Sequence, residues 1–203
     1  WIGPKIENYY MHATTPSLYS PTLKQFTLGG NAAAYGASTN SGLGYAYKFD
    51  NGLAFSSNVV SKQNKSSTDN GTNGFLTKES SHSWATQVGY TQDRYSVSAI
   101  VNYKYNGWKD EYFSTTNGFA RASVSGSPAS DSTNIGLRAW LRPEENGSVM
   151  PSISVGYDIS DIQYGADTVD STDMYFVGLG WADIFQADDK IGVAFGQPQT
   201  RED

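Results

Sequence analysis

From Ser83 to Tyr105 apolar and polar residues alternate on both sides of a short polar break. Tyr95, Val97, Ala99, Val101, Tyr103 and Tyr105 share one phase, and Ser96, Ser98, Ile100, Asn102 and Lys104 share the other. The preceding arm sets Trp84, Thr86, Val88 and Tyr90 against Ala85, Gln87, Gly89 and Thr91. A sustained period of two predicts a β-hairpin turned at Gln92-Asp93-Arg94. Strands of soluble domains usually run about five or six residues, whereas a strand tilted across a bilayer needs about nine to eleven. The second arm has the membrane length. Its aromatic residues lie toward the ends with Val97, Ala99 and Val101 between them, as amphipathic rings at two headgroup levels would. A soluble sandwich accounts for one such hairpin equally well, so the rest of the chain has to decide.

The same pattern predicts three more hairpins between residues 43 and 198. The first pairs Leu43 to Phe49 with Leu53 to Lys62 through Asp50-Asn51-Gly52, and Asn-Gly is a strong hairpin signal. The third pairs Thr133 to Arg142 with a strand from about Val149 to Ser160, turning at Pro143 to Gly147. The fourth pairs Met174 to Trp181 with Ile191 to Phe195. A strand over Trp1 to Lys5 precedes them. The connections between hairpins (63–82, 106–132 and 161–172) are rich in Ser, Thr, Asn, Asp and Gly and exceed the turns within hairpins. Strict alternation of short turn and long loop puts all turns at one end of a sheet, as in an outer-membrane barrel. Residues 6–41 form a further long connection, with Pro16, Pro21, Gly29-Gly30 and a possible place for one helical turn near Leu23 to Phe26. Unlike the others it carries an apolar and aromatic set, from Ile6, Tyr9 and Tyr10 to Phe26 and Tyr35. Such a segment needs a surface to cover, and the inner wall of a barrel is the nearest. It is expected to fold inward and form a constriction.

Composition narrows the classes. The 203 residues carry a net charge of -6 and no cysteine, which argues against a basic nucleic-acid surface and removes disulfides and thiolate metal sites. No run approaches the roughly 18 apolar residues of a spanning helix, but barrel strands escape that test because their apolar residues are interleaved.

Five stretches then point to a family. GGNAAAYGAS, SWATQVGYT, YSVSAIVNYKYNGW, PSISVGYD and YFVGLGWADIFQADDKIGVAFGQP resemble the cyanobacterial outer-membrane porins of the carbohydrate-selective OprB-like group, also called iron-uptake porins. The resemblance covers essentially the whole chain. It implies an all-β, antiparallel transmembrane barrel of roughly sixteen strands, of which residues 1–203 would supply about half. It implies outer-membrane lipid and small hydrophilic solutes as partners, a homo-oligomer such as a trimer, and no cofactor. The periplasmic anchoring region and the final strand of that family are missing, so the chain is read as a piece of a longer barrel.

The chemistry follows from the inner phase. Opposite the apolar positions fall Lys48, Asn58, Lys62, Gln87, Asn102, Lys104, Asn134, Arg138, Arg142 and Asp158. Charges on that phase fit a watery pore, and an excess of cations there predicts anion preference. Trp140 lies between Arg138 and Arg142, either stacking on a sugar from the inner side or turned to lipid by a bulge. No catalytic constellation is visible. His12 and His82 fall in predicted loops, and Asp188-Asp189 and Glu144-Glu145 read as solvated turn residues. The expected function is passive diffusion of sugars and inorganic ions through a water-filled barrel, without a reaction. Two rivals stand beside it: a secreted β-sandwich or lectin-like binding module, and a small closed barrel of about eight strands with a filled interior.

Overall fold

The computed structural model describes residues 2–7, 34, 39–62, 75–77, 80–105, 131–145, 147–163 and 171–202. Nine strands follow one another: β1 (Ile2–Glu7), β2 (Thr39–Lys48), β3 (Leu53–Lys62), β4 (Ser81–Thr91), β5 (Tyr95–Tyr105), β6 (Asp131–Leu141), β7 (Ser152–Gln163), β8 (Ser171–Ala182) and β9 (Lys190–Glu202). Each pairs antiparallel with its sequence neighbours in a single meander. The protein is therefore all-β. Among the described residues the sheet is not closed, and β1 and β9 are its edges.

Strands β2 to β9 are the four hairpins that alternation predicts. The expected strict alternation of short turn and long loop fails at β7, because the β6–β7 turn spans 142–151 and the β7–β8 connection only 164–170, the strands running further than their apolar residues. Most of the 6–41 connection lies outside the described residues, including the expected turn near Leu23 to Phe26. Its margins belong to the flanking strands, since β1 runs through Glu7 and β2 begins at Thr39.

Other boundaries correct the sequence reading too, with β7 beginning at Ser152 and not at Val149, which lies in the turn before it. His82 is in β4, opposite Tyr105, and not in a loop. Polar neighbours hid it, because Ser81, His82 and Ser83 carry no apolar alternation. β9 continues past Phe195 to Glu202, through Pro198. Tyr175 pairs with Gln197 and Asp173 with Thr200, so β9 carries an extra residue around Pro198. A missing N–H is tolerated at a bulge and on an edge strand.

The register is otherwise regular from β2 to β8. No bulge rotates Trp140, and it stays on the inner phase, 7% exposed. At Gly52 the first turn needs positive φ, +92°, and a Cβ there would strike the carbonyl of Thr91 in the next turn. The turns are thus in contact. Thr91 N donates to Gly52 O (2.9 Å), Gln92 Nε2 to Asn51 O (2.9 Å), Arg142 N to Arg94 O (2.8 Å) and Gly147 N to Ala182 O (2.8 Å). Together with the hairpins themselves these bonds join all four turns in series.

Candidate functional site: the inner wall

Each strand from β3 to β8 buries one phase and exposes the other, and from β3 to β7 the buried phase is mainly small and polar, whereas β8 buries Met174 and Phe176. Ser56, Asn58, Ser83, Gln87, Ser96, Asn102, Lys104, Ser132, Asn134, Arg138, Ser154, Asp158 and Ser160 are all buried. Tyr45, Val88, Val97, Val101, Leu137, Val155, Val177 and Val193 are exposed on the other face, with Phe55 and Leu179 partly so. The expected apolar belt therefore exists as one continuous face of the sheet.

The loop-side margin of that belt is inclined to the hydrogen-bonded rows. The row through Tyr103, Thr133, Asp161 and Ser171 is apolar only on the β5 side, and the row through Val101, Ile135 and Ile159 turns polar at Asp173. At the turn-side margin the opposite happens, where Trp181 and Ile191 join as a new apolar pair. The loop-side margin of the belt thus retreats toward the turns from β5 to β9, while its turn-side margin stays in the row of Tyr95, Leu141 and Ile153 until Trp181 and Ile191 extend it.

On the inner wall, neighbouring strands share polar contacts. Ser83 Oγ donates to Asn102 Oδ1 at 2.8 Å. Asn134 Nδ2 donates to the Asn102 carbonyl at 3.1 Å and to Ser132 Oγ at 3.0 Å. The Asn102 amide nitrogen reaches the carbonyl of Ala34 at 3.1 Å. Ala34 is fully buried against Ala85 and Ile100. Ala34, the one residue described between the end of β1 and the start of β2, thus touches the inner wall.

Arg138 and Asp158 are brought together as a bidentate ion pair, Nη1 to Oδ1 and Nη2 to Oδ2, the latter at 2.6 Å. The Phe176 ring lies 5.3 Å below the guanidinium and fits over Gly156, where any Cβ would collide with it. The positive charge of Arg138 is therefore offset within the wall. Lys104 is fully buried. Lys48 and Arg142 are exposed at the turn end. Arg142 Nε donates to Asp93 O, and its guanidinium lies 5.9 Å from the Trp140 ring centre. The aromatic face that sequence offers to a sugar thus meets an arginine. Lys62 closes β3 at the loop end, paired with Ser81. Asn58 Nδ2 and both side-chain polar atoms of Gln87 are buried with no hydrogen-bond partner among the described residues, so a polar solute or water would satisfy them.

Sequence reasoning missed the apolar members of the inner phase: Val60, Ile162, Met174 and Phe176, all buried. The signal was present in the alternation of β8, where Met174 and Phe176 fall opposite Tyr175 and Val177. His82 packs instead at the loop end, stacked on Tyr105 at 6.0 Å, with Nε2 3.1 Å from Thr77 O and 3.3 Å from Ser80 Oγ. His12 lies outside the described residues. Among the described residues no three His, Asp or Glu side chains form a group that could hold a metal ion. No protein-family model matches the chain, and no characterised protein matches its sequence.

Proposed function

We propose that the chain forms the wall of an outer-membrane porin, a transmembrane β-barrel through which small hydrophilic solutes diffuse passively. One observation carries the reading: the sheet buries its polar face and exposes its apolar one. A soluble protein gains about 25 cal/mol for each Å² of apolar surface removed from water, and this sheet forgoes that gain along eight strands. The arrangement is favourable where the outer medium is hydrocarbon. It argues against the β-sandwich, which would bury the Val and Leu phase between two sheets.

One dimension supports the same reading. On β5 the belt runs from Tyr95 to Tyr105, about 34 Å along the strand, and at the ~35–45° strand tilt of membrane barrels that spans about 24 to 28 Å, close to their ~25 Å apolar band. The local motifs of the OprB-like porins agree with it.

A second reading draws on a different observation. Lys104, Asn102, Met174 and Phe176 are almost completely covered, as they would be in a small closed barrel with a filled interior. Conductance separates the two. The porin reading expects discrete, ohmic current steps when the protein is added to a planar bilayer. Stable insertion with no steps above baseline would reject it in favour of the filled barrel.

A further inference from the structure

The outer apolar belt does not end with the strands on the β7 to β9 side. Beyond the Trp181 and Ile191 pair come Val149 and Phe185, which lie in the β6–β7 and β8–β9 turns and are 86% and 80% exposed. Met150 beside them is exposed too. Turn tips that meet water are usually polar, as Asp50 and Asn51 are in the β2–β3 turn and Asp93 and Arg94 in the β4–β5 turn.

These apolar tips are held outward. The Asp189 carboxylate accepts backbone N–H bonds from Ile184 (2.8 Å), Phe185 (3.0 Å) and Gln186 (3.2 Å). Asp183 Oδ1 accepts from Asp188 N at 2.6 Å, and both residues adopt positive φ, 58° and 69°. Trp181 Nε1 donates to the Val149 carbonyl at 2.9 Å, which ties the two turns to each other. The cage fixes the backbone that carries Phe185.

The apolar face reaches the edges of all four turns, through Phe49, Leu53 and Tyr95 at the first two, but only in the β6–β7 and β8–β9 turns does it continue into the tips. We infer that the β6–β7 and β8–β9 turns sit in the headgroup layer of a phospholipid leaflet, while the β2–β3 and β4–β5 turns stand in water. The lipid surface is zwitterionic, because the two turns are net negative, with Glu144, Glu145, Asp183, Asp188 and Asp189 against Arg142 and Lys190, and an anionic surface would repel them. The inference rests on the membrane reading and adds to it a second lipid contact at the turn end.

The chain has no cysteine, so single replacements Phe185→Cys, Val149→Cys, Val101→Cys and Asn51→Cys can each carry an environment-sensitive fluorophore. All four positions are exposed, and only Asn51→Cys costs a bond, the surface one from Leu53 N to Asn51 Oδ1 (3.0 Å). In phosphatidylcholine vesicles containing nitroxide lipids, the label at 101 should be quenched most by a nitroxide deep in the acyl chain. Labels at 185 and 149 should be quenched by a headgroup-level nitroxide about twofold more than the label at 51. If 185 and 149 are quenched no more than 51 while 101 is quenched, the turns lie in water and the inference fails with the membrane reading intact. If 101 is quenched by neither nitroxide, the membrane reading fails and this inference with it.

Discussion

Arg138 and Asp158 face each other across neighbouring strands, and both are out of solvent. Such a pair contributes little when compared with apolar side chains of the same volume, yet removing one partner strands a buried charge at a cost of about 3 to 5 kcal/mol. Arg138→Met should therefore destabilise the fold by that amount in a urea titration, and Arg138→Met with Asp158→Leu should recover most of it. A loss well under 1 kcal/mol in the single variant would mean that the pair is hydrated. The pairing also revises the expected selectivity, because the cation that sequence places in the pore carries its own counter-ion. Asp189 is a second residue with a defined charge task. Desolvation pushes its carboxyl up, but the N–H groups of Phe185, Ile184, Gln186 and Asp183 outweigh that and hold it below the usual carboxylate range. A depressed value means that its stabilisation is complete above the ordinary carboxylate pKa and disappears as the pH falls through the lower, folded one. Trp181 fluorescence should accordingly change below about pH 4, and the Asp189→Asn variant should show no such acid transition.

The strands were almost fully legible. Alternation over eleven residues cannot be satisfied by a helix, and the turn chemistry at Asn51-Gly52 fixes one register, which the regular pairing then carries to β8. What sequence could not supply was the meaning of the inner phase. Lys104, Arg138 and Asp158 read as pore-lining because alternation gives a face and not a depth. Which of them meets solvent depends on what packs over that face, and alternation along the strands does not specify it. His82 and the end of β9 were missed for the converse reason: polar residues and Pro198 break the pattern where the backbone does not break. The exposed phase offers the sharper test. Val101 lies near the middle of the belt on β5, where an arginine would cost about 2 to 4 kcal/mol if the surroundings are hydrocarbon. Val101→Arg should block assembly into vesicles, as read by the heat-modifiable band shift of folded barrels. Normal assembly would place that face in water.

For the molecule as a whole, the contact between Ala34 and the inner wall bears most on function. The carbonyl of Ala34 is held by Asn102, and its methyl group packs on Ala85 and Ile100, so the connection between β1 and β2 reaches the face that would line the pore. Removing Thr14 to Ala33 should widen the passage and raise single-channel conductance. A deletion variant that inserts normally and conducts as before would put the rest of that connection outside the pore.

The four turns joined in series have a consequence for how the sheet moves. Turn amides normally exchange their protons with water within the short lifetime of a frayed end. Here the N–H groups of Thr91, Arg142 and Gly147 each end on a carbonyl of the neighbouring turn. None can open without displacing a second hairpin, so the turn end should behave as a single hoop. Hydrogen–deuterium exchange at those three amides should be as slow as in the middle of β5, and Gly52→Ala, which pushes the first turn away from Thr91, should release the Thr91 amide first.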